Sequence, residues 1–144
     1  MSNAEIDLTA LLPQIAEATQ NGGEFLICPQ GESMLPLIRP ARDGVWLSKP
    51  EKLARNDICL YRRENGRFVL HRLVKREKSG SLSFRGDNQK ETERGVPESA
   101  VIAKVAALQK DGKRKTPKNP FYLFTHCSAL ARALRFKKKR HGDG

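Results

Sequence analysis

Cysteine is scarce in this 144-residue chain, and the three present (Cys28, Cys59 and Cys127) form no Cys-x-x-Cys pair. So odd and scattered a set argues against a disulfide scaffold or a zinc module and fits reduced thiols used as small packing side chains. Histidine is equally rare: His71, His126 and His141 stand at no metal-ligand spacing, so neither a metal nor a cofactor is expected. Long apolar runs are missing too. Stretches such as Phe25-Leu26-Ile27-Cys28 and Ala129-Leu130-Ala131 fall far below the ~20 residues of a membrane helix. Glu5 and Asp7 occupy the region where a secretory signal peptide carries positive charge, which points to a cytoplasmic chain.

Acidic residues are nearly absent from the last quarter. Residues 110–144 hold eleven Lys/Arg against Asp111 and Asp143, a net of +9, whereas residues 1–109 carry only +2 of the total +11. The basic character therefore belongs to a C-terminal extension. Such a segment is suited to solubilising the chain, or to a peripheral hold on an anionic membrane at ~1 kcal/mol per basic residue near the surface. A basic regulator binding DNA or RNA would need the same charge, but no recognition module or stacking pattern accompanies it.

What is present reads as one mainly β domain between two helical ends: a helix within residues 1–23, β structure over 24–109, and the basic extension over 110–144. Asp7 can cap a helix running to about Gln20, with Leu8, Leu11, Leu12 and Ile15 on one face and Gly22-Gly23 ending it. Short strands follow at 24–28, 45–47, 57–62, 67–75, 82–85 and 101–108, separated by turn residues. Asn65-Gly66 is the strongest hairpin signal and predicts a tight primed turn; Lys78-Ser79-Gly80 predicts a second hairpin. Past Pro117 and Pro120, the cluster Phe121-Tyr122-Leu123-Phe124 is expected to pack back on the domain. A helix is expected to Phe136, with Cys127, Leu130 and Leu134 on one face and Arg132 and Arg135 on another; Lys137–Arg140 and the Gly-rich end read as disordered.

Three short pieces could carry chemistry. Gly31-Glu32-Ser33-Met34-Leu35-Pro36 presents one hydroxyl on a turn. Alternation in the 67–75 strand groups His71 with Val69 and Leu73, among apolar neighbours that keep an imidazole neutral and fit to act as a base. Gly86-Asp87-Asn88 forms a turn after the 82–85 strand and offers a carboxylate. A nucleophile needs a base, and the base an orienting partner, often far apart in sequence.

In this order the pieces resemble the superfamily of type I signal peptidases and LexA-like self-cleaving serine peptidases. Residues 31–36, 56–61, 69–74, 84–88 and 100–105 carry the resemblance, within about residues 24–108. The pair His71-Arg72 matches the archaeal and endoplasmic-reticulum branch, which has histidine where bacterial signal peptidases use lysine. The resemblance implies a serine endopeptidase (a peptide-processing hydrolase) with Ser33 as nucleophile and His71 as general base. It implies an orienting acid after the base: Asp87, or Glu93 as the alternative, since Thr92-Glu93 stands before Arg94-Gly95 where the family has two aspartates. Gly31, Met34 and Pro36 are expected to border an extended peptide substrate. The family's membrane helix before the serine has no counterpart here, so a soluble processing role, or a peptide-binding relative without activity, is also expected.

Overall fold

The computed structural model describes the backbone of residues 8–143 and the side chains of residues 8–137. Eight antiparallel strands form one sheet: β1 (Phe25–Ile27), β2 (Gly44–Ser48), β3 (Ile58–Arg62), β4 (Phe68–Arg76), β5 (Leu82–Arg85), β6 (Glu93–Val96), β7 (Val101–Lys110) and β8 (Lys113–Lys115). Their spatial order is β1-β2-β7-β3-β4-β5-β6, with β8 paired on β7. The mainly β class follows the sequence reading, but two strands exceed it. β6 and β8 are short, largely polar and without the period-two alternation that marks a strand in sequence. Through β8 the sheet also reaches past residue 109, into the basic extension.

The hairpins correct the expected turn chemistry. Between β3 and β4 the Gly66 N–H donates to Arg63 O and the Arg63 N–H to Arg67 O, with Gly66 at φ 88°. Asn65 is not in the left-handed region, so the loop is a three-residue turn with Gly66 at its bulge and not a two-residue primed turn. The primed geometry occurs instead at Asp111-Gly112. Both residues have positive φ (51° and 78°), and Lys110 pairs with Lys113 across them.

Helix α1 (Leu8–Gln20) buries Ile15 and Thr19 and packs Leu8 and Leu11 on the sheet. Pro13 lies inside it, within the first two turns, and Gly22 and Gly23 close it by donating to Thr19 O and Ala18 O. The cap expected from Asp7 lies outside the described residues. Strand β3 is buried on both faces. Ile58 and Leu60 join Ile15, Ile27, Met34, Val45 and Leu47 on one side, while Cys59 and Tyr61 join Val69, Leu73 and Phe84 on the other. Cys59 is fully buried, and burial pushes its thiol pKa up to about 12, as suits a packing side chain.

The C-terminal segment departs most from expectation. A short helix α2 (Pro120–Tyr122), capped by the Asn119 side chain, leads through a π turn (Leu123–Cys127) into helix α3 (Ala129–Asp143). Helical backbone thus continues through the run that composition marked as disordered. The aromatic cluster splits: Tyr122 turns inward to Asp87, while Phe121 and Phe124 are exposed. On α3 the polarity is reversed, with Leu130 and Leu134 outward and Arg132 and Arg135 toward the domain. Arg132 donates to Gln89 O and Lys90 O, and Arg135 to His126 O and Asp87 O, bonds that an apolar helix face could not make.

Candidate active site

The Ser33 turn is tied down from both sides. Ile38 N–H donates to Met34 O at 2.9 Å within it, and Asn88 N–H donates to Ser33 O at 2.9 Å from the β5–β6 loop. Asn88 Nδ2 adds a bond to Glu32 O at 3.2 Å, and Asp87 N–H points at the Met34 sulfur at 3.5 Å. Met34 is buried in the core and so anchors the turn, leaving Ser33 half-exposed. Among the described residues no backbone carbonyl takes the Ser33 or Met34 N–H. Gly86 is required by close approach: a Cβ there would stand 2.6 Å from Ser33 O and 3.1 Å from Ser33 Cβ.

His71 lies on β4 opposite Cys59, and the three-residue hairpin sets Tyr61 opposite Val69, so Tyr61 and His71 are diagonal neighbours on one face. The Tyr61 hydroxyl donates to Glu93 Oε1 at 2.7 Å and stands 3.3 Å from His71 Nδ1. Its single hydrogen being committed to Glu93, the Tyr61 oxygen accepts from His71 Nδ1–H. That tautomer leaves Nε2 as the free acceptor, the atom a general base needs. Burial and the nearby Arg63 charge lower the His71 pKa to about 4, against the opposing pull of Glu93 and Asp87, so the ring is neutral at pH 7. Burial works against the Glu93 carboxylate, but hydrogen bonds from Arg63 and Tyr61 outweigh it and hold its pKa below the ordinary value.

Ser33 and His71 line one cleft of about 300 Å³, together with Gly31, Met34, Leu8, Ile27, Phe68 and Leu70. Among the described residues its charged lining is Arg63 and Arg67, with no carboxylate. On the side away from β3, Phe68–Leu70 have no strand partner among the described residues, because pairing with β5 begins at Arg72. No hydrogen bond joins the Ser33 hydroxyl to His71; the His71 Nδ1 is instead bonded to the Tyr61 hydroxyl.

Two expectations for this site change. Asp87, the first choice for the orienting acid, does not reach His71. Its two carboxylate oxygens are taken by Arg72 Nε and Nη2 at 2.9 and 2.8 Å, and Tyr122 donates to Oδ2 at 2.7 Å. The reason is strand alternation: Arg72 and His71 point to opposite faces of β4, and Asp87 sits on the Arg72 face. Glu93, the alternative, is on the His71 side and connects through Tyr61. Pro36 is exposed outside the cleft lining that holds Gly31 and Met34. His126 packs against Tyr122 and bonds Asp87 O, remote from the cleft lining, while the His141 side chain lies outside the described residues.

Sequence reasoning missed Tyr61, Arg63 and the steric role of Gly86. A tyrosine in a strand of four successive buried residues was the available signal, since a buried hydroxyl requires a partner. No protein-family model matches the sequence, and no curated protein matches it significantly.

Proposed function

We propose that this chain is a serine endopeptidase that cleaves an extended peptide through Ser33 and His71. The observation that carries the reading is the shared cleft, lined by both a turn-borne hydroxyl and a neutral histidine whose Nδ1 bonds the Tyr61 hydroxyl, itself held by Glu93. A substrate strand adds to the free edge of Phe68–Leu70 through main-chain hydrogen bonds, which brings its carbonyl over Ser33. His71 Nε2 takes the Ser33 proton as Oγ attacks the carbonyl carbon. The new C–O bond forms, the C–N bond breaks, and His71 returns the proton to the leaving amine. Water, deprotonated by His71, then attacks the acyl-serine carbonyl, the C–Oγ bond breaks, and His71 returns the proton to Ser33. The N–H groups of Ser33 and Met34 support the oxyanion in both steps.

A second reading, a peptide-binding relative without turnover, is favoured by the missing Ser33–His71 hydrogen bond. Catalytic hydrogen bonds are often long without substrate and tighten on binding, which keeps the enzyme reading first. Ser33→Ala and His71→Ala variants assayed with wild type on a fluorogenic peptide library separate the two. Peptidase action gives wild-type turnover and a loss of ~10²–10⁴-fold in each variant. Equal inertness of all three chains, with peptide binding retained, would leave the binding role in its place.

A further inference from the structure

Of the exposed large apolar side chains among the described residues, all but Leu26 fall between residues 121 and 134: Phe121 (75% exposed), Phe124 (72%), Leu130 (67%) and Leu134 (62%). Leu130 and Leu134 are four residues apart and share one face of α3, while Phe121 and Phe124 project from α2 and the π turn just before it. The opposite face is the one that packs. Tyr122, His126, Arg132 and Arg135 all turn to the 87–90 loop and bond its carboxylate or carbonyl oxygens.

The segment is thus inverted relative to an ordinary core-facing helix, whose leucines would lie inward and whose arginines would face water. Exposed Lys137 follows the leucines and opens the run Lys137-Lys138-Lys139-Arg140. An apolar groove on a protein would accommodate the phenylalanines and leucines but gives no reason for four consecutive cations beside them. The boundary between acyl chains and anionic headgroups accommodates both. We propose that Phe121, Phe124, Leu130 and Leu134, flanked by Lys137, form a face that docks this chain on an anionic lipid bilayer, with α3 lying in the interface. Among the described residues no helix is long and apolar enough to cross a membrane, so docking is peripheral. None of the four side chains touches the Ser33 cleft lining, and the inference stands whether or not the chain cleaves peptides.

The test is sedimentation of the full chain with phosphatidylcholine vesicles, with and without phosphatidylglycerol. Wild type is expected to bind the anionic vesicles at least about tenfold more tightly than the neutral ones. Replacing all four residues (Phe121→Ser, Phe124→Ser, Leu130→Gln, Leu134→Gln) is expected to weaken that binding by about tenfold or more, with the circular-dichroism melt unchanged. Leu130→Gln with Leu134→Gln alone serves as a milder variant should the fourfold change disturb folding. Wild type remaining in the supernatant overturns the proposal. So does equal binding of wild type and variants, which would reduce the effect to charge alone. Self-association that the variants abolish, without vesicle binding, would assign the face to a second copy of the chain.

Discussion

Arg72 grips Asp87 through two parallel hydrogen bonds, and both side chains are about 2% exposed. The strand residue next to the proposed base thus holds the acid expected to serve that base. Asp87→Asn breaks the charge pair and leaves a buried guanidinium uncompensated, which should cost about 3–5 kcal/mol in denaturant unfolding. The acid limb of peptide cleavage by the folded variant should move only slightly, and downward, as His71 loses the weak pull of the Asp87 charge. A loss of kcat as large as that of His71→Ala, at unchanged stability, would return Asp87 to the catalytic group.

Tyr61→Phe removes only the hydroxyl between His71 and Glu93. The ring keeps its stacking on Phe84, at 4.4 Å between centroids, so packing survives. Turnover should fall by roughly tenfold or more as the imidazole loses its fixed tautomer, with KM little changed. Stability should fall by about 1.5–3 kcal/mol, the range for a hydrogen bond to a charged group. Unaltered kcat with the same stability loss would make Tyr61 structural only.

Protonation of His71 should be visible in unfolding. Its folded pKa of about 4 lies below the ordinary 6.5, so the unfolded chain binds the proton first as pH falls. The contribution is complete above pH 6.5, declines between 6.5 and about 4, and is constant below. Over that window wild type should lose up to about 3 kcal/mol more than His71→Gln. Cleavage should likewise persist below pH 6 and fail only near pH 4. Parallel pH–stability curves for wild type and His71→Gln would mean that His71 titrates as a solvated group.

Gly86→Ala tests the support of the nucleophile. The added methyl meets backbone, the Ser33 carbonyl at 2.6 Å, which cannot swing aside as a side chain end can. The turn must move, and a displacement of the reacting hydroxyl by about 1 Å is worth ~10²-fold in rate. The stability cost should be about 1–3 kcal/mol, as for other overpacked sites. Wild-type kcat/KM in Gly86→Ala would show that the Ser33 position is not held from this side.

Six of the eight strands and α1 were legible because each is marked by local pattern, alternation or turn residues, whereas the pairing of Ser33 with His71 rested on the family resemblance. The orienting network was not legible, and the reason is one residue of register. A two-residue turn at Asn65-Gly66 would set Tyr61 opposite Leu70, on the Arg72 face and away from His71. The observed three-residue loop sets it opposite Val69 and brings its hydroxyl to the imidazole. The strand that carries Glu93 was hidden for another reason, since Glu-Arg-Gly-Val has no strand alternation and is held by pairing with β5 alone. The inward turn of Arg132 and Arg135 could not be read from a helical wheel, because their partners are main-chain oxygens of residues forty positions away.

The place of β7 has a consequence for synthesis. This late strand lies between β2 and β3, so within the sheet the half that carries Ser33 and the half that carries His71 are joined only by Val101–Lys110. Ser33 and the proposed base His71 therefore share one sheet only once Val101–Lys110 has been made. A chain ending before Val101 is expected to lack any peptidase activity that the full chain has.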